Sequence, residues 1–210
     1  MKNLLNLAIW ALLIMVPGQA GAQKTTKPVP VPARIHNIPV HWFLDATTPN
    51  PAAFIDFYNG ASYTQDAAIA HAASIDAFCY DRSHLAVSFQ EVDLINMTNF
   101  GNGNFHVADT FHAVLGNPSF GAYTTSTFSD VSMTPVEFSK IKYNADIAAL
   151  FRAKSLNGGY ADLGIPARDL LNSNKYYQFV CANGKRGFFH VTGANYLPGS
   201  TMTIEVKVEQ

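Results

Sequence analysis

The chain has 210 residues and a formal net charge of -1, and only 14% of its residues are charged, well below the quarter that is typical of globular domains. No run of basic residues occurs, which argues against nucleic acid and anionic membrane surfaces as partners, since both require clustered Lys and Arg. The 15 Phe and 9 Tyr residues, in a chain of such low charge, are typical of exported β-proteins.

The first 22 residues predict a signal peptide. Lys2 supplies the positive start, residues 4–16 are almost wholly apolar, and Ala20, Gly21 and Ala22 give the small-x-small pattern of a cleavage site. This apolar run is shorter than the roughly 20 residues that span a bilayer, and no later run approaches that length. We therefore expect an exported protein without a transmembrane segment, located in the periplasm, at the cell surface or outside the cell.

The next segment, residues 23–33, predicts a proline-rich tether. Its alternating Val and Pro residues favour an extended spacer. Residues 34–210 remain, which is a length that one hydrophobic core can serve. The sequence therefore predicts a single β-rich domain over residues 34–210.

The C-terminal part of the chain gives the clearest structural pattern. Residues 176–182 and 185–192 are aromatic and β-branched runs joined by Asn-Gly, which predicts a hairpin with a type I′ turn. Residues 201–209 alternate strictly between apolar and polar side chains. Because strand side chains alternate between faces, this period predicts a half-buried antiparallel strand whose polar side chains face water.

The N-terminal half repeats this design. Residues 53–58 and 61–65 flank a second Asn-Gly pair and predict another hairpin. Residues 66–73 are Ala-rich and indicate a helical turn, while residues 74–81 form an apolar run with one polar residue and predict a central strand. Further strand candidates lie at residues 38–44, 85–94 and 120–128. In the first of these, Pro39 restricts the strand to a sheet edge or a strand start.

One region predicts helices. Thr134, Pro135 and Glu137 combine an N-cap hydroxyl, a Pro at the first helical position and the acidic partner of a capping box. A second start at Asn144 extends the helical region to residue 154. Together these patterns predict a mostly β fold, an antiparallel two-layer sandwich or meander with a short helical insertion.

The two cysteines, Cys79 and Cys181, are a candidate disulfide because the predicted signal peptide directs the chain to an oxidising compartment. Closing a loop of about 100 residues would stabilise the fold by up to roughly 4.7 kcal/mol on the chain-entropy model. The alternative is a pair of buried thiols, since Cys is among the most buried residue types.

The seven histidines include no zinc-binding motif, and we expect no metal site. His106 and His112 are six positions apart and would share a face of a strand, which makes them weak candidates for haem ligands. Candidate catalytic groups are the possible triad of Asp76, His84 and Ser83 and the carboxylate pair of Glu91 and Asp93. Without a G-x-S-x-G elbow these sets have no supporting motif, so we assign no catalytic residue.

A sugar-binding platform is a further interpretation. Aromatic rings that could stack on a sugar are Trp42, Tyr63, Tyr80 and Tyr123, and the Asn- and Gly-rich residues 96–104 could supply amide hydrogen bonds. The alternative is that these aromatic side chains belong to the hydrophobic core.

The order of elements near the end of the chain resembles a known group of proteins. Residues 177–208 comprise an aromatic strand, an Asn-Gly turn, a strand ending in Val-Thr, a short loop and a final alternating strand. This order is similar to the close of exported Bacteroidetes-type proteins, and residues 55–82 resemble a region near their start. The HmuY-like haem-binding family is of this type.

The resemblance implies an all-β fold and a haem held between two histidines. In that family the haem histidines lie in the middle region, whereas residues 116–171 of this chain contain no histidine. His106 and His112 lie just before this region, so haem binding enters as an alternative.

These observations lead us to expect an exported, non-enzymatic binding or surface-interaction domain without a cofactor. Its partner would be a small molecule, a glycan or a protein at the cell envelope. A HmuY-like haem-binding protein is the first alternative, and a secreted hydrolase is the second.

Overall fold

The computed structural model describes residues 28–41, 52–81, 92–96, 127–154, 174–194 and 201–210. These ranges contain a 3₁₀ turn at Ala72–Ser74 and the following strands and helices: β1 Arg34–His41, β2 Phe54–Asp56, β3 Ala61–Tyr63, α1 Gln65–Ala70, β4 Ala77–Asp81, β5 Val92–Asn96, β6 Thr127–Val131, α2 Pro135–Ser139, α3 Asn144–Ala153, β7 Tyr176–Val180, β8 Arg186–Ala194 and β9 Thr201–Val208. The predicted mostly β fold with a short helical insertion is confirmed.

The strands form two antiparallel sheets. The larger sheet has the order β1-β9-β8-β7-β6, and the smaller has the order β3-β2-β4-β5. The predicted C-terminal hairpin and the alternating last strand lie at the centre of the larger sheet, and the predicted central strand, β4, lies inside the smaller one. β1 is an edge strand, as Pro39 predicts.

The main hydrophobic core lies between the sheets. The apolar side chains of β9 point inward and are fully buried: Met202, Ile204, Val206 and Val208. They belong to one cluster with side chains of the smaller sheet, including Ile55 and Cys79, and with Phe57, which directly follows β2. Full burial of such a side chain contributes about 1.5–3 kcal/mol, so this alternation accounts for much of the stability of the sandwich.

A second cluster covers the outer face of the larger sheet. Phe138 of α2 and Ile147 of α3 pack there with Tyr176 and Phe188 of the sheet. Both predicted helix starts are confirmed. The Thr134 hydroxyl accepts a hydrogen bond from the Glu137 N–H (3.2 Å), and the Glu137 carboxylate accepts one from the Thr134 N–H (2.8 Å).

This helical layer corrects one prediction about β9. The polar side chains of that strand were expected to face water, but Lys207 is only 5% exposed. The reason is that α2 lies over this part of the sheet, where the Lys207 ammonium donates a hydrogen bond to the Phe138 carbonyl oxygen (2.9 Å). The outer face is therefore a packed interface rather than a solvated one.

Both Asn-Gly hairpins form, but the predicted type I′ turn is wrong. In the later hairpin the Gly184 N–H donates to the Cys181 carbonyl oxygen (2.8 Å), which places Ala182 and Asn183 at the central positions. Gly184 follows them with a φ of 80°, the left-handed region that glycine adopts readily. This is the arrangement of a three-residue hairpin loop with a glycine bulge.

Ordered pairing begins ahead of β1. The Ala33 N–H donates to the Lys142 carbonyl oxygen, and the Asn144 N–H donates to the Val31 carbonyl oxygen (both 2.9 Å). The last residues of the predicted tether are therefore hydrogen-bonded to the connection between α2 and α3. We call residues 29–35 and 136–143 together the N-terminal ribbon.

Replacing Gly187 by Ala should destabilise the protein by about 1–3 kcal/mol, because overpacking a tight core forces side chains and backbone to shift. A Cβ at this position would lie 2.5 Å from the Lys207 carbonyl oxygen and closer still to the Phe179 ring. Gly193→Ala in the same strand is the matched control, since a Cβ there meets nothing within 4 Å. Urea unfolding measures both changes, and equal effects would contradict this packing.

Candidate functional site

Two carboxylates are buried where the two sheets meet. Asp56 ends β2 and is 0% exposed, and Asp76 lies just before β4 and is 1% exposed. Carboxylates are almost never fully buried without hydrogen-bond or ion-pair partners. This pair is therefore the most unusual chemical feature in the described part of the chain.

Asp76 links the two sheets. One carboxylate oxygen, Oδ2, accepts a hydrogen bond from the Phe57 N–H (2.9 Å), next to β2 in the smaller sheet. The other, Oδ1, accepts one from the Ala182 N–H (2.7 Å), in the β7–β8 turn of the larger sheet. A single side chain thereby satisfies backbone donors from two sheets that lie far apart in the sequence.

Asp56 organises the β2–β3 turn beside it. Its Oδ1 accepts a hydrogen bond from the Asn59 N–H (2.8 Å), and its Oδ2 accepts one from the Asn59 side-chain amide (2.7 Å). The Gly60 N–H closes the same turn on the Asp56 carbonyl oxygen (3.0 Å), with a φ of 69° at Gly60. Asp56 therefore fixes the turn that presents the Phe57 N–H to Asp76.

Burial raises the pKa of two groups in this cluster, Asp76 and Cys181. Burial raises the pKa of Asp76 from 3.8 to about 7, opposed by the N–H groups of Ala182 and Phe57 and reinforced by the charge of Asp56. Burial, followed by the charge of Asp76 and a hydrogen bond to it, raises the pKa of the Cys181 thiol far above its ordinary value. A thiol in this state is a poor nucleophile.

The structure does not test the possible triad of Asp76, His84 and Ser83. Each Asp76 oxygen accepts one backbone hydrogen bond, and a carboxylate oxygen can accept a second. Ser83 and His84 lie outside the described residues. The hydrogen bonds of Asp76 that the structure describes join the two sheets.

Cys79 and Cys181 are reduced, buried thiols that belong to the same core cluster. No bond joins them in the structure, which is the arrangement of the alternative, two buried thiols. The candidate disulfide is not tested by this and stays a prediction.

A second polar cluster, which the sequence did not predict, lies under α2. The His190 ring stacks on Tyr176 (centroids 4.8 Å apart) and meets the Phe138 ring edge-on (4.8 Å). Its Nε2 lies 3.3 Å from a Glu205 carboxylate oxygen, and the other Glu205 oxygen is 3.9 Å from the Lys207 ammonium. Burial lowers the pKa of Lys207, while Glu205 raises it and Lys142 lowers it further. The aromatic rings enclose this cluster, which fastens α2 to the sheet.

The helical layer carries an open groove of about 220 Å³. Its lining residues are Glu137, Lys140, Ile141, Asp146, Ala149 and Leu150. This volume is below the 300–1,000 Å³ of most small-molecule sites.

Most of the other candidate residues lie outside the described ranges: His106, His112, Glu91, Trp42 and Tyr123. Asp93 lies in β5 and Tyr80 in β4, but their side chains are also outside the description. Tyr63 is described, and its ring stacks on His71 with centroids 4.2 Å apart. The haem, carboxylate-pair and sugar-platform hypotheses therefore stay predictions.

Comparison with known proteins gives no match to this chain among family models, curated protein sequences or solved structures. The HmuY-like resemblance thus stays a hypothesis. Among the described residues, no three His, Cys, Asp or Glu side chains are grouped so that they could hold a metal ion. The helices in these ranges are all too short or too polar to cross a membrane.

Replacing Asp76 by Asn should alter how stability depends on pH. A pKa raised to about 7 in the folded protein means that the stabilising effect of protonated Asp76 is complete below 3.8 and is lost as the pH rises through 7. Between pH 3.8 and pH 7, the free energy of unfolding of the wild type should fall by on the order of 4 kcal/mol relative to that of the Asn variant. Urea unfolding at several pH values measures the difference, with Asp66→Asn on exposed α1 as the control. A difference that does not change with pH would contradict the assignment.

The cysteines should react as two thiols once the non-reduced protein is unfolded. In the folded protein we expect at least about a hundredfold slower reaction, because both thiols are buried and the pKa of Cys181 is raised. A colorimetric thiol titration with and without denaturant makes the comparison. Unfolded protein without reactive thiols would instead establish the disulfide.

Proposed function

We propose that this chain is an exported binding domain that recognises a protein partner at the cell envelope and acts without catalysing a reaction. One observation supports this proposal most. The large apolar side chains that the described surface exposes all belong to the N-terminal ribbon: Val29 (86%), Val31 (50%), Ile35 (52%), Val136 (59%) and Tyr143 (42%). Grouped exposed apolar side chains are typical of protein-interaction surfaces.

The two segments of the ribbon are joined through their backbones. Pro32 pairs with Tyr143 in an isolated antiparallel bridge, flanked by the hydrogen bonds of Ala33 and Val31 to the α2–α3 connection. Pro32 and Tyr143 are therefore neighbours on one surface although they are far apart in the sequence. An ordered backbone also lowers the entropy that binding would otherwise cost.

The surroundings of the ribbon fit a protein partner. Val136 lies one helical turn before Lys140, which lines the groove described above. Lys140 and Lys142 are exposed, whereas Glu137 is engaged by Lys154 (2.6 Å). An apolar centre with a polar rim is the usual composition of a protein-binding surface.

Binding rather than catalysis is favoured by what the buried ionisable groups already do. The Asp76 carboxylate accepts two backbone hydrogen bonds, and the His190 ring is held between Phe138 and Tyr176. Both groups join layers of the fold.

The double variant Val136→Ser with Tyr143→Ser should lose at least about tenfold in affinity for the partner, since truncating an aromatic anchor commonly costs more than 1 kcal/mol. Val136 is 59% exposed and Tyr143 is 42% exposed, and neither belongs to the two core clusters described above, so the fold should be retained. Immobilised wild-type protein would first capture the partner from an envelope extract of the source cells. The affinity of the captured partner for the wild type and for the double variant would then be measured. The control is Ala70→Ser on α1, which is exposed beside the smaller sheet. Equal affinities of wild type and double variant would contradict the proposal.

A further inference from the structure

The outer edge of β1 is covered at one end by the smaller sheet. The His41 N–H donates to the Ala52 carbonyl oxygen (3.0 Å), and the Pro39 carbonyl oxygen accepts from the Ser62 hydroxyl (2.6 Å). Backbone groups of alternate residues in an edge strand point to the same side. Odd-numbered residues of β1 therefore direct their N–H and C=O groups away from β9, and Pro39, which lacks an N–H, is tolerated there for this reason.

The same edge is covered at its other end by the helical layer. There the Ala33 N–H bonds to Lys142, and the Val31 carbonyl oxygen bonds to Asn144. Ile35 and Asn37 lie between these two covered ends. Within the described part of the chain, their outward N–H and C=O groups form no hydrogen bond. The edge is thus closed at both ends and open over these two residues.

The side chains at this opening leave it accessible. Ile35 is 52% exposed, and Asn37 is also exposed. Exposed strand edges are templates for pairing with another chain, and proteins usually block them with Pro, charge or a cover. Within the described part of the chain, hydrogen bonds cover this edge on either side of residues 35–37, and between them the β2–β3 turn contacts the strand through the His36 side chain (Nε2 to the Tyr58 carbonyl oxygen, 3.2 Å).

We propose that the open edge formed by Ile35 and Asn37 binds an extended segment of the partner protein as an added antiparallel strand. This inference rests on the proposed function and identifies how the partner is held. An antiparallel segment would exchange two hydrogen bonds with Ile35 and two with Asn37, which satisfies all four groups. The strand between the hydrogen bonds at Ala33 and at Pro39 is about 20 Å long, so a segment of about five residues fits between them.

The charges around the opening define the chemistry of that segment. In an antiparallel arrangement the C-terminal end of the segment lies toward Arg34 and Lys142. Lys142 is exposed and close enough to Lys207 to act on it electrostatically, so cationic side chains lie at this end, next to the Asp146 carboxylate that accepts the Lys142 N–H (2.9 Å). The segment should therefore carry an apolar residue opposite Ile35 and a carboxylate toward its C-terminal end.

A defined probe tests this mode without the natural partner. The probe is the blocked pentapeptide acetyl-Thr-Val-Thr-Val-Asp-amide, added to isotope-labelled wild-type protein and followed by NMR and amide hydrogen exchange. In the free protein the Ile35 and Asn37 amides should exchange quickly, unlike those of Ile38 and Val40, which face β9. At saturating peptide their exchange should slow at least about tenfold, and peptide N-methylated on its strand-pairing amides should have no effect. Protection of both amides before peptide is added, or no change afterwards, would overturn the proposal.

Two variants connect the edge to the natural partner. Asn37→Pro removes one outward N–H without touching the ladder to β9, whereas Asn37→Thr keeps it. Both are used in the capture assay described above. Loss of at least about tenfold in affinity for the Pro variant alone supports strand addition. If the ribbon variant loses affinity and the Pro variant does not, strand addition fails while the proposed function stands. If neither loses affinity, both fail.

Discussion

The fold depends on a single buried carboxylate that joins two sheets. Asp76 accepts hydrogen bonds from the Phe57 and Ala182 N–H groups, so its two oxygens hold the β2–β3 turn and the β7–β8 turn at a fixed separation. The apolar core supplies most of the free energy of folding, but it is not directional. The hydrogen bonds of Asp76 are directional, and they set how the two sheets are positioned over that core.

Within the described part of the chain, the larger sheet is packed on both faces, which limits the surface that it leaves accessible. Its inner face contacts the smaller sheet and its outer face contacts α2 and α3. With both faces covered, the accessible regions of this sheet are its edges and the layer that covers it. The N-terminal ribbon and the open part of β1 occupy these two places and adjoin at Ile35. This proximity is why we assign them to one partner.

The sequence predicts those features that depend on near neighbours. The alternation over β9, the capping box at Thr134 and the second helix start at Asn144 are all local patterns, and the structure contains each of them. The two Asn-Gly hairpins were also predicted, since a glycine that tolerates positive φ is a local requirement. The turn type was predicted wrongly, because the closing hydrogen bond at Cys181 shifts the central positions by one residue.

Features that depend on distant residues were not predictable in this way. The contact between Asp76 and Ala182 joins residues far apart in the chain, and the only sequence signal of it is a carboxylate within an apolar run. The alternation of β9 predicts that Lys207 is solvated. In the structure Lys207 is buried because α2 lies over it. The open edge at Ile35 and Asn37 is likewise defined by two covering segments from elsewhere. Alternation alone cannot show which side of an edge strand will be covered.

An NMR pH titration tests the central role of Asp76 most directly. It would follow the Asp76 carboxyl carbon together with the amide protons of Phe57 and Ala182. The account predicts one shared midpoint near the pKa of about 7, because both amides donate to the group that titrates. A carboxyl carbon that titrates near 3.8, with amide protons that do not respond, would contradict it.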